Sequence, residues 1–233
     1  MEIFFMSILS FEEFLKLLQP HPLFNSSITN SDFVPLDISV NNMELKAVDV
    51  SNSKDLEKFI WNHIETNNAK IAYGGYLEKR EIYQRSSYFN EINSDTERNI
   101  HLGLDLWIEA ETPIFAPLSG TIHSFQNNTN YGDYGPTIVL KHHIEEFVFY
   151  TLYGHLSLES IKDLEIGVEV NQGAQIATLG TAEVNGDYPP HLHFQIIHDM
   201  HDFSGDYPGV SNQLDLAFYK SNCPDPNLLL KLY

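Results

Sequence analysis

The strings HLGLD at residues 101–105 and HLH at residues 191–193 decide how this chain is interpreted. Side chains alternate between the two faces of a strand, so residues two apart share a face. As a strand, HLGLD places His101, Gly103 and Asp105 on one face and its leucines on the other. Because glycine has no side chain, Gly103 leaves space between the histidine and the aspartate in which a cation fits.

HLH follows the same alternation. It places His191 and His193 on one face, backed by Leu192 and Phe194 on the other. A single His-x-His pair on a strand is more often structural than metal-binding. Together with the first string, however, it supplies imidazoles and a carboxylate, which are common zinc ligands, and three protein ligands leave a fourth position for water. The two strings therefore predict a catalytic metal site in a cleft.

A third string, LYGHL at residues 152–156, has the same pattern and predicts that Tyr153 and His155 face the site, with leucines opposite. Three strands with histidine on the polar face are hard to explain by solubility alone. The other histidines considered are predicted to lie outside the site, at strand ends or in loops: His123, His142, His143, His198 and His201.

Composition excludes several classes of protein. The chain has 233 residues, a hydrophobic fraction of 42% and a formal net charge of −19. Phosphate binding requires clustered Lys and Arg, so no nucleic-acid partner is expected. No apolar run approaches the roughly 18–20 residues of a membrane span. A single cysteine, Cys223, excludes an internal disulfide framework.

The N-terminal stretch is apolar but has no Lys or Arg before Lys16. A secretory signal needs a basic leader. We therefore expect a cytoplasmic protein, with the periplasm or cell envelope as the alternative. The oligomeric state is not predicted.

Hydrophobic periodicity predicts helices at 11–18 and 54–64, a hairpin between 37 and 48, and a long connecting loop at 73–94. From residue 100 onward the chain reads as short strands separated by turns. The predicted fold class is α+β, with a mostly antiparallel C-terminal β-sandwich and a smaller N-terminal α/β region. The predicted division is 1–72 for the N-terminal region, possibly a lid or packing subdomain, 73–222 for the main domain and 223–233 for a tail.

The triplet Gly-Asp-Tyr occurs three times in turn-rich stretches. Its irregular spacing indicates shared turn chemistry rather than a structural repeat. The tyrosines, Tyr134, Tyr188 and Tyr207, are candidates to line the rim of a cleft.

Five strings stand in the order HLGLD, APLSGTI, YGHL, GVEVNQGAQIATLG and PPHLHF, within about residues 70–200. In this order they resemble the lysostaphin/LytM-like zinc metallopeptidases. The resemblance implies the duplicated hybrid motif, which is barrel-sandwich-like, and one Zn²⁺ per chain. It also implies hydrolysis of peptide bonds, most often in the cross-links of bacterial peptidoglycan.

The resemblance assigns His101, Asp105 and His193 as the zinc ligands. It assigns His155 and His191 to the zinc-activated water or the transition state, without deciding which of them is the general base. All five positions are filled, so nothing marks this chain as a degenerate copy.

The family also has a tyrosine upstream of the first zinc histidine that helps to stabilise the oxyanion. Tyr88 is the nearest candidate, and its distance from His101 leaves that role in doubt. The resemblance further implies a narrow substrate groove, flanked here by loops 126–136 and 181–190 and by part of 73–94.

The sequence thus predicts a zinc-dependent metalloendopeptidase that acts on peptides, most simply of the peptidoglycan type. One alternative is a catalytically inactive peptide- or cell-wall-binding module on the same fold. Another is a hydrolase of a cytoplasmic peptide or amide, because YGGYLEKREIYQRSSYF and CPDPNLLL resemble a subgroup fused to an aminotransferase and a small-molecule kinase.

Two further classes fit less well. APLSGTI and GVEVNQGAQIATLG also resemble biotinyl or lipoyl carriers and sugar-phosphotransfer proteins, but a carrier needs a lysine at a hairpin tip. Between Gln172 and Leu230 the only lysine is Lys220. A cupin-like dioxygenase needs a Glu soon after His-x-His, and no Glu follows Gln195.

Overall fold

The computed structural model describes residues 9–87, 89 and 95–232. Tyr88, the candidate oxyanion residue, lies outside the described residues. The described α-helices are α1 (Phe11–Leu17), α2 (Ser53–Thr66), α3 (Leu216–Asn222) and α4 (Asn227–Leu230), with 3₁₀ turns at Asn30–Asp32, Met43–Ala47, Ile82–Arg85 and Leu158–Ile161.

Most of the regular structure is strand. The described strands are β1 (Phe33–Pro35), β2 (Ile71–Gly74), β3 (Ile100–His101), β4 (Leu104–Trp107), β5 (Pro113–Phe115), β6 (Gly120–Asn128), β7 (Gly135–Ile144), β8 (Phe147–Gly154), β9 (Glu169–Val170), β10 (Gln175–Thr178), β11 (His191–Ile197) and β12 (Val210–Ser211).

One eight-stranded sheet, in the order β1-β2-β4-β11-β8-β7-β6-β9, dominates the fold. Its strands pair antiparallel except for β1 and β2, which are parallel. Two-stranded sheets form from β10 with β5 and from β12 with β3. A mostly β fold with a large mixed sheet and few helices is therefore confirmed. The sandwich arrangement and the duplicated hybrid motif stay predictions.

The sheet continues across the predicted domain limit after residue 72. Strand β2 pairs with β1 on one side and with β4 on the other, where Gly74 lies opposite Asp105. The division into domains itself stays a prediction.

The main core lies on one face of the central strands. Leu104 and Leu106 of β4 and Leu192, Phe194 and Ile196 of β11 are all 1% exposed or less. Burial of this apolar area is the dominant favourable term in folding, at roughly 25 cal/mol per Å². The opposite face of the same strands is thereby left for the polar side chains.

Both predicted helices are confirmed. Helix α1 starts at a capping box in which Ser10 and Glu13 satisfy each other's backbone N–H groups, and it buries Phe14 and Leu15. Helix α2 is capped by Asn52, and its buried residues repeat at helical spacing: Leu56, Ile60 and Ile64.

The predicted hairpin between 37 and 48 is wrong. The chain there forms the 3₁₀ turn Met43–Ala47, capped by the Asn42 side chain, which accepts a hydrogen bond from the Glu44 N–H. Asp37 likewise accepts from the Ser39 N–H. Such local side-chain bonds compete with a strand ladder, and a period-two pattern does not register them.

The loop predicted at 73–94 is correct only in part. Its start is the end of β2, and Ile82–Arg85 is a 3₁₀ turn with Ile82 and Tyr83 buried. Among the described residues, no helix combines the length and apolar character that crossing a bilayer requires.

Candidate metal centre

The register between β4 and β11 sets His193 directly opposite Asp105. The His193 Nδ1 atom lies 3.2 Å from Asp105 Oδ1, and the His101 Nε2 atom lies 3.3 Å from the same oxygen. The two ring nitrogens are 2.8 Å apart. One ligand atom from each of the three side chains lies within 4.8 Å of the others, and each residue is 2% exposed. The structure therefore brings together the three residues predicted as ligands.

The HLGLD string is not one continuous strand, as the sequence predicted. It divides into β3, which pairs with β12, and β4, which pairs with β2 and β11. Gly103 lies at the break, and a Cβ atom there would come within 2.5 Å of the His193 ring. The missing side chain thus admits a third ligand rather than the cation itself.

The two metal-facing histidines each have an outer nitrogen beside an acceptor. His101 Nδ1 lies 3.0 Å from the Gly75 carbonyl oxygen, and His193 Nε2 lies 2.9 Å from Gln195 Oε1. Gln195 is oriented by its own amide group, which donates to the Pro208 carbonyl. Since an N–H must face each acceptor, His101 Nε2 and His193 Nδ1 carry lone pairs that point at the centre. Two imidazoles and a carboxylate with this orientation fit a divalent metal ion.

Asp105 is held by a buried guanidinium. Arg80 Nη1 donates to Asp105 Oδ2 at 2.6 Å, while Arg80 Nε donates to Glu78 Oε2 at 2.7 Å. Arg80 is only 4% exposed, and its Nη2 has no hydrogen-bond partner among the described residues. The pair occupies one carboxylate oxygen, so Asp105 offers the other one, Oδ1, to the centre.

Burial and charge set the protonation of this centre. Burial lowers the pKa of His101 to about 3. Burial alone would raise the pKa of Asp105, but the neighbouring His101 and Arg80 hold it well below its usual value. The site therefore presents a neutral imidazole and an ionised carboxylate at neutral pH, which is the state that metal binding requires.

His155 and His191 stand beside this group. Their ring centroids are 4.1 Å apart, and His191 Nε2 lies 3.7 Å from Asp105 Oδ1. His155 Nδ1 is 2.8 Å from the Asn185 carbonyl, and His191 Nδ1 is 2.7 Å from the Pro189 carbonyl. Burial lowers the pKa of both rings. Both Nε2 atoms are consequently unprotonated bases.

The predicted facing of LYGHL is wrong, although His155 does reach the site. Tyr153 packs against Phe194 in the main core, and Leu152 lies on the other face with Tyr207. Strand β8 ends at Gly154, and His155 follows with a φ of +62°. This left-handed turn, not strand alternation, directs the ring to the centre.

The three Gly-Asp-Tyr tyrosines line the cavity next to the histidines. All three are buried rather than exposed at loop tips. Tyr134 is closest to the ligands, with its hydroxyl 3.3 Å from His193 Nε2. The histidines predicted to lie outside the site are not among the lining residues: His123, His142, His143, His198 and His201.

Three lining or supporting residues were not predicted. Gln195 could have been found, because it shares a strand face with His193 two residues away. Arg80 lies in irregular chain and Tyr83 in the 3₁₀ turn Ile82–Arg85, and neither carries a local pattern that points to the site. Tyr83 lines the cavity, and burial raises its pKa, which keeps the phenol protonated as a donor.

His101 on β3, Asp105 on β4 and His193 on β11, with two further histidines alongside, form a candidate metal centre with a ligand set that metal-dependent hydrolases use. Residues 99–204 match the model of Peptidase family M23, a segment that includes all five site residues. The resemblance to the lysostaphin/LytM-like peptidases is thereby confirmed.

A metalloprotease of Haemophilus influenzae whose own function is uncharacterized is 32% identical over 95 residues. The aligned part is 41% of this chain and 18% of that protein, so this chain spans less than a fifth of the relative's length.

Solved structures of similar proteins include the catalytic domain of the antimicrobial peptidase lysostaphin from Staphylococcus simulans. It is 23% identical and has a TM-score of 0.39, over 70% of this chain and 97% of that one. A zinc-containing peptidase from Vibrio cholerae is 24% identical with a TM-score of 0.34, over 52% of this chain and 35% of that one.

Proposed function

We propose that this chain is a zinc-dependent metallopeptidase that hydrolyses a peptide or closely related amide bond. The observation that carries the proposal is the convergence of His101 Nε2, Asp105 Oδ1 and His193 Nδ1 within 4.8 Å, with two unprotonated histidines beside them. When bound, zinc supplies Lewis-acid polarisation of a carbonyl and lowers the pKa of water toward 7.

His101, Asp105 and His193 would hold the ion. Gly75, Arg80 and Gln195 bind the outer atoms of His101, Asp105 and His193, respectively. These partners orient each ligand and leave its inner atom available for the metal. Such outer partners set ligand geometry and basicity.

His155 and His191 would move the protons. Each ring donates Nδ1–H to a backbone carbonyl and keeps Nε2 as an acceptor. One of them accepts a proton from the attacking water and, once protonated, gives it to the departing amine. The other ring would donate a hydrogen bond to the developing oxyanion, for which its Nε2 must first take up a proton. Neither His155 nor His191 is assigned as the general base, as in the prediction from the sequence.

The proposal is tested by metal content together with hydrolysis. We expect near-stoichiometric zinc in the purified protein by plasma mass spectrometry and its loss in Asp105→Ala and His193→Ala. His143→Ala, an exposed histidine outside the site, is the matched control and should keep the metal.

Hydrolysis is then measured on glycine-containing peptides, with chelator and with zinc added back. Zinc-dependent cleavage that both site variants lose supports the proposal. A wild-type protein that takes up no metal after zinc is added would overturn it. The peptidoglycan-type substrate expected from the sequence is included in the same assay as free cross-link peptides.

A further inference from the structure

The two loops expected to flank a narrow groove touch each other. Within loops 126–136 and 181–190, the Gly132 N–H donates to the Gly186 carbonyl at 3.1 Å. The Tyr188 hydroxyl donates back to the Gly132 carbonyl at 2.8 Å. A Cβ atom on Gly186 would fall inside the Asp133 carbonyl. The loops thus form a continuous bridge, called here the loop bridge.

The N-terminal part of the chain fastens this loop bridge from outside. Arg85 donates to the Asp187 carbonyl at 2.8 Å, and its guanidinium lies 4.3 Å from the Tyr188 ring centroid. Ser53 donates to Asp187 Oδ1 at 2.8 Å, and Ser86 donates to the Tyr131 carbonyl. These contacts join the residues before the first predicted ligand to both loops at once.

The centre lies in a cavity bounded in part by the loop bridge. The five site residues are each 5% exposed or less. The cavity has a volume of about 340 Å³, near the lower end of the roughly 300–1,000 Å³ of small-molecule pockets. Its walls include Ile82, Tyr83 and Phe89 on the N-terminal side and Phe203 and Tyr207 from the C-terminal loops.

This volume limits the substrate. An extended chain advances about 3.3–3.6 Å per residue, so a cavity of this size holds only a few residues at once. On the side of the two loops, a longer chain would meet Gly132, Gly186 and Tyr188, which are hydrogen-bonded to one another.

We propose that the substrate is a short peptide or small amide of a few residues, which enters the cavity whole. On this proposal the loop bridge hinders long or cross-linked peptides from placing an internal bond at the centre. This inference rests on the proposed peptidase function and narrows its substrate class. The apolar, aromatic walls favour a substrate with at least one apolar side chain.

The test compares peptides of one composition and increasing length on the zinc-loaded protein. Alanine-containing di-, tri-, penta- and heptapeptides and soluble cross-linked peptidoglycan fragments are digested, and the products are quantified by mass spectrometry. We expect kcat/KM to fall at least tenfold between the tripeptide and the pentapeptide, and no cleavage of the cross-linked fragments.

Variants that loosen the loop bridge should relax this limit. Arg85→Ala removes the contacts to Asp187 and Tyr188, and Ser53→Ala removes one bond with less risk to folding. Both should raise the rate on the pentapeptide relative to the tripeptide while zinc content is unchanged. Ser51→Ala, whose exposed hydroxyl bonds only to Asp49 in its own turn, is the matched control.

The outcomes separate the two proposals. Cleavage of the heptapeptide or of cross-linked fragments as fast as the tripeptide would overturn the size limit and leave the peptidase function intact. An unchanged length profile in both loop-bridge variants would overturn the role of the loop bridge. Zinc-loaded protein that cleaves no peptide of any length would overturn the proposed function itself, and the size limit with it.

Discussion

His101 Nε2 and His193 Nδ1 face each other across 2.8 Å, although the outer nitrogen of each ring already lies beside an acceptor oxygen. With both outer nitrogens protonated, the two inner lone pairs repel. A cation that accepts both lone pairs, together with Asp105 Oδ1, removes this conflict. The metal is thus favoured by the tautomers that Gly75 and Gln195 impose.

Gln195 is expected to act on the metal through His193. Gln195→Leu removes the acceptor for the outer N–H, and we expect zinc affinity to fall about 10- to 100-fold in chelator competition. Gln195→Glu keeps an acceptor oxygen but loses the amide donor to the Pro208 carbonyl, so we expect it to retain more of the affinity than the leucine variant. Wild-type affinity in the leucine variant would contradict this role.

Arg80 is expected to be a stability determinant as well as a support for Asp105. Arg80→Met leaves the buried Asp105 and the partly buried Glu78 without their guanidinium, and breaking the buried pair with Asp105 costs about 3–5 kcal/mol. Urea denaturation measures the loss. Lys70→Met, which breaks the solvent-exposed pair with Asp32, is the control and should change stability little. If Arg80→Met and Lys70→Met lowered the free energy of unfolding equally, the burial of Arg80 would not explain its contribution to stability.

Gly103 is expected to tolerate no side chain. A Cβ atom there would lie 2.5 Å from the His193 ring and 2.9 Å from the Phe194 carbonyl. Gly103→Ala should therefore displace the ring, lower zinc content and destabilise the protein by about 1–3 kcal/mol. Gly167→Asn is the control, because no described residue beyond its chain neighbours lies within 4 Å of a Cβ there, and asparagine is among the side chains least strained at positive φ; its zinc content should be unchanged. Full zinc content in the alanine variant would disprove the steric argument.

The two proton-transfer histidines should be separable from metal binding. His155→Gln and His191→Gln should keep zinc but lower kcat about 10²- to 10⁴-fold, the usual contribution of general acid–base catalysis. Zinc content and kcat are measured on the same preparations. A variant that loses its zinc would instead make that histidine a ligand.

Acid should destabilise the metal-free protein through a histidine outside the site. Burial lowers the pKa of His142 to about 4, and its ring nitrogens lie beside the Ser119 carbonyl and the Thr151 hydroxyl. The unfolded chain binds a proton near pH 6.5 while the folded chain does not, so stability falls as the pH drops from about 6.5 to 4.

The size of this effect is on the order of 3 kcal/mol below pH 4. It is measured by denaturation at several pH values for the wild type and His142→Gln. The variant's stability curve should be flatter over this window than that of the wild type. Identical pH dependence in the two proteins would show that His142 does not carry the effect.

Strand alternation predicted those parts of the site that lie on regular strands. His191 and His193 share a face of β11, and the core side chains Leu192 and Phe194 share the other, because β11 continues without interruption to Ile197. The prediction that Tyr153 and His155 share a strand face was wrong. Strand β8 ends at Gly154, so the period-two pattern does not extend to His155.

The residues that support the site could not be predicted for a different reason. Arg80 meets Asp105 from irregular chain 25 residues away, and Arg85 meets Asp187 across 102 residues. Such pairs depend on how the loops pack in three dimensions, and no spacing along the chain encodes them. The loop bridge could not be predicted for the same reason. Each loop sequence by itself shows only residues typical of turns, and nothing in it indicates contact with the other loop.

The strand order has a consequence for synthesis of the chain. Strand β4 lies between β2 and β11, so one of its edges stays unpaired until β11, more than 80 residues later, has left the ribosome. An exposed edge beside an apolar face is prone to pair with other chains. The nascent chain is therefore most exposed to wrong strand pairing during the interval in which Asp105 has emerged and His193 has not.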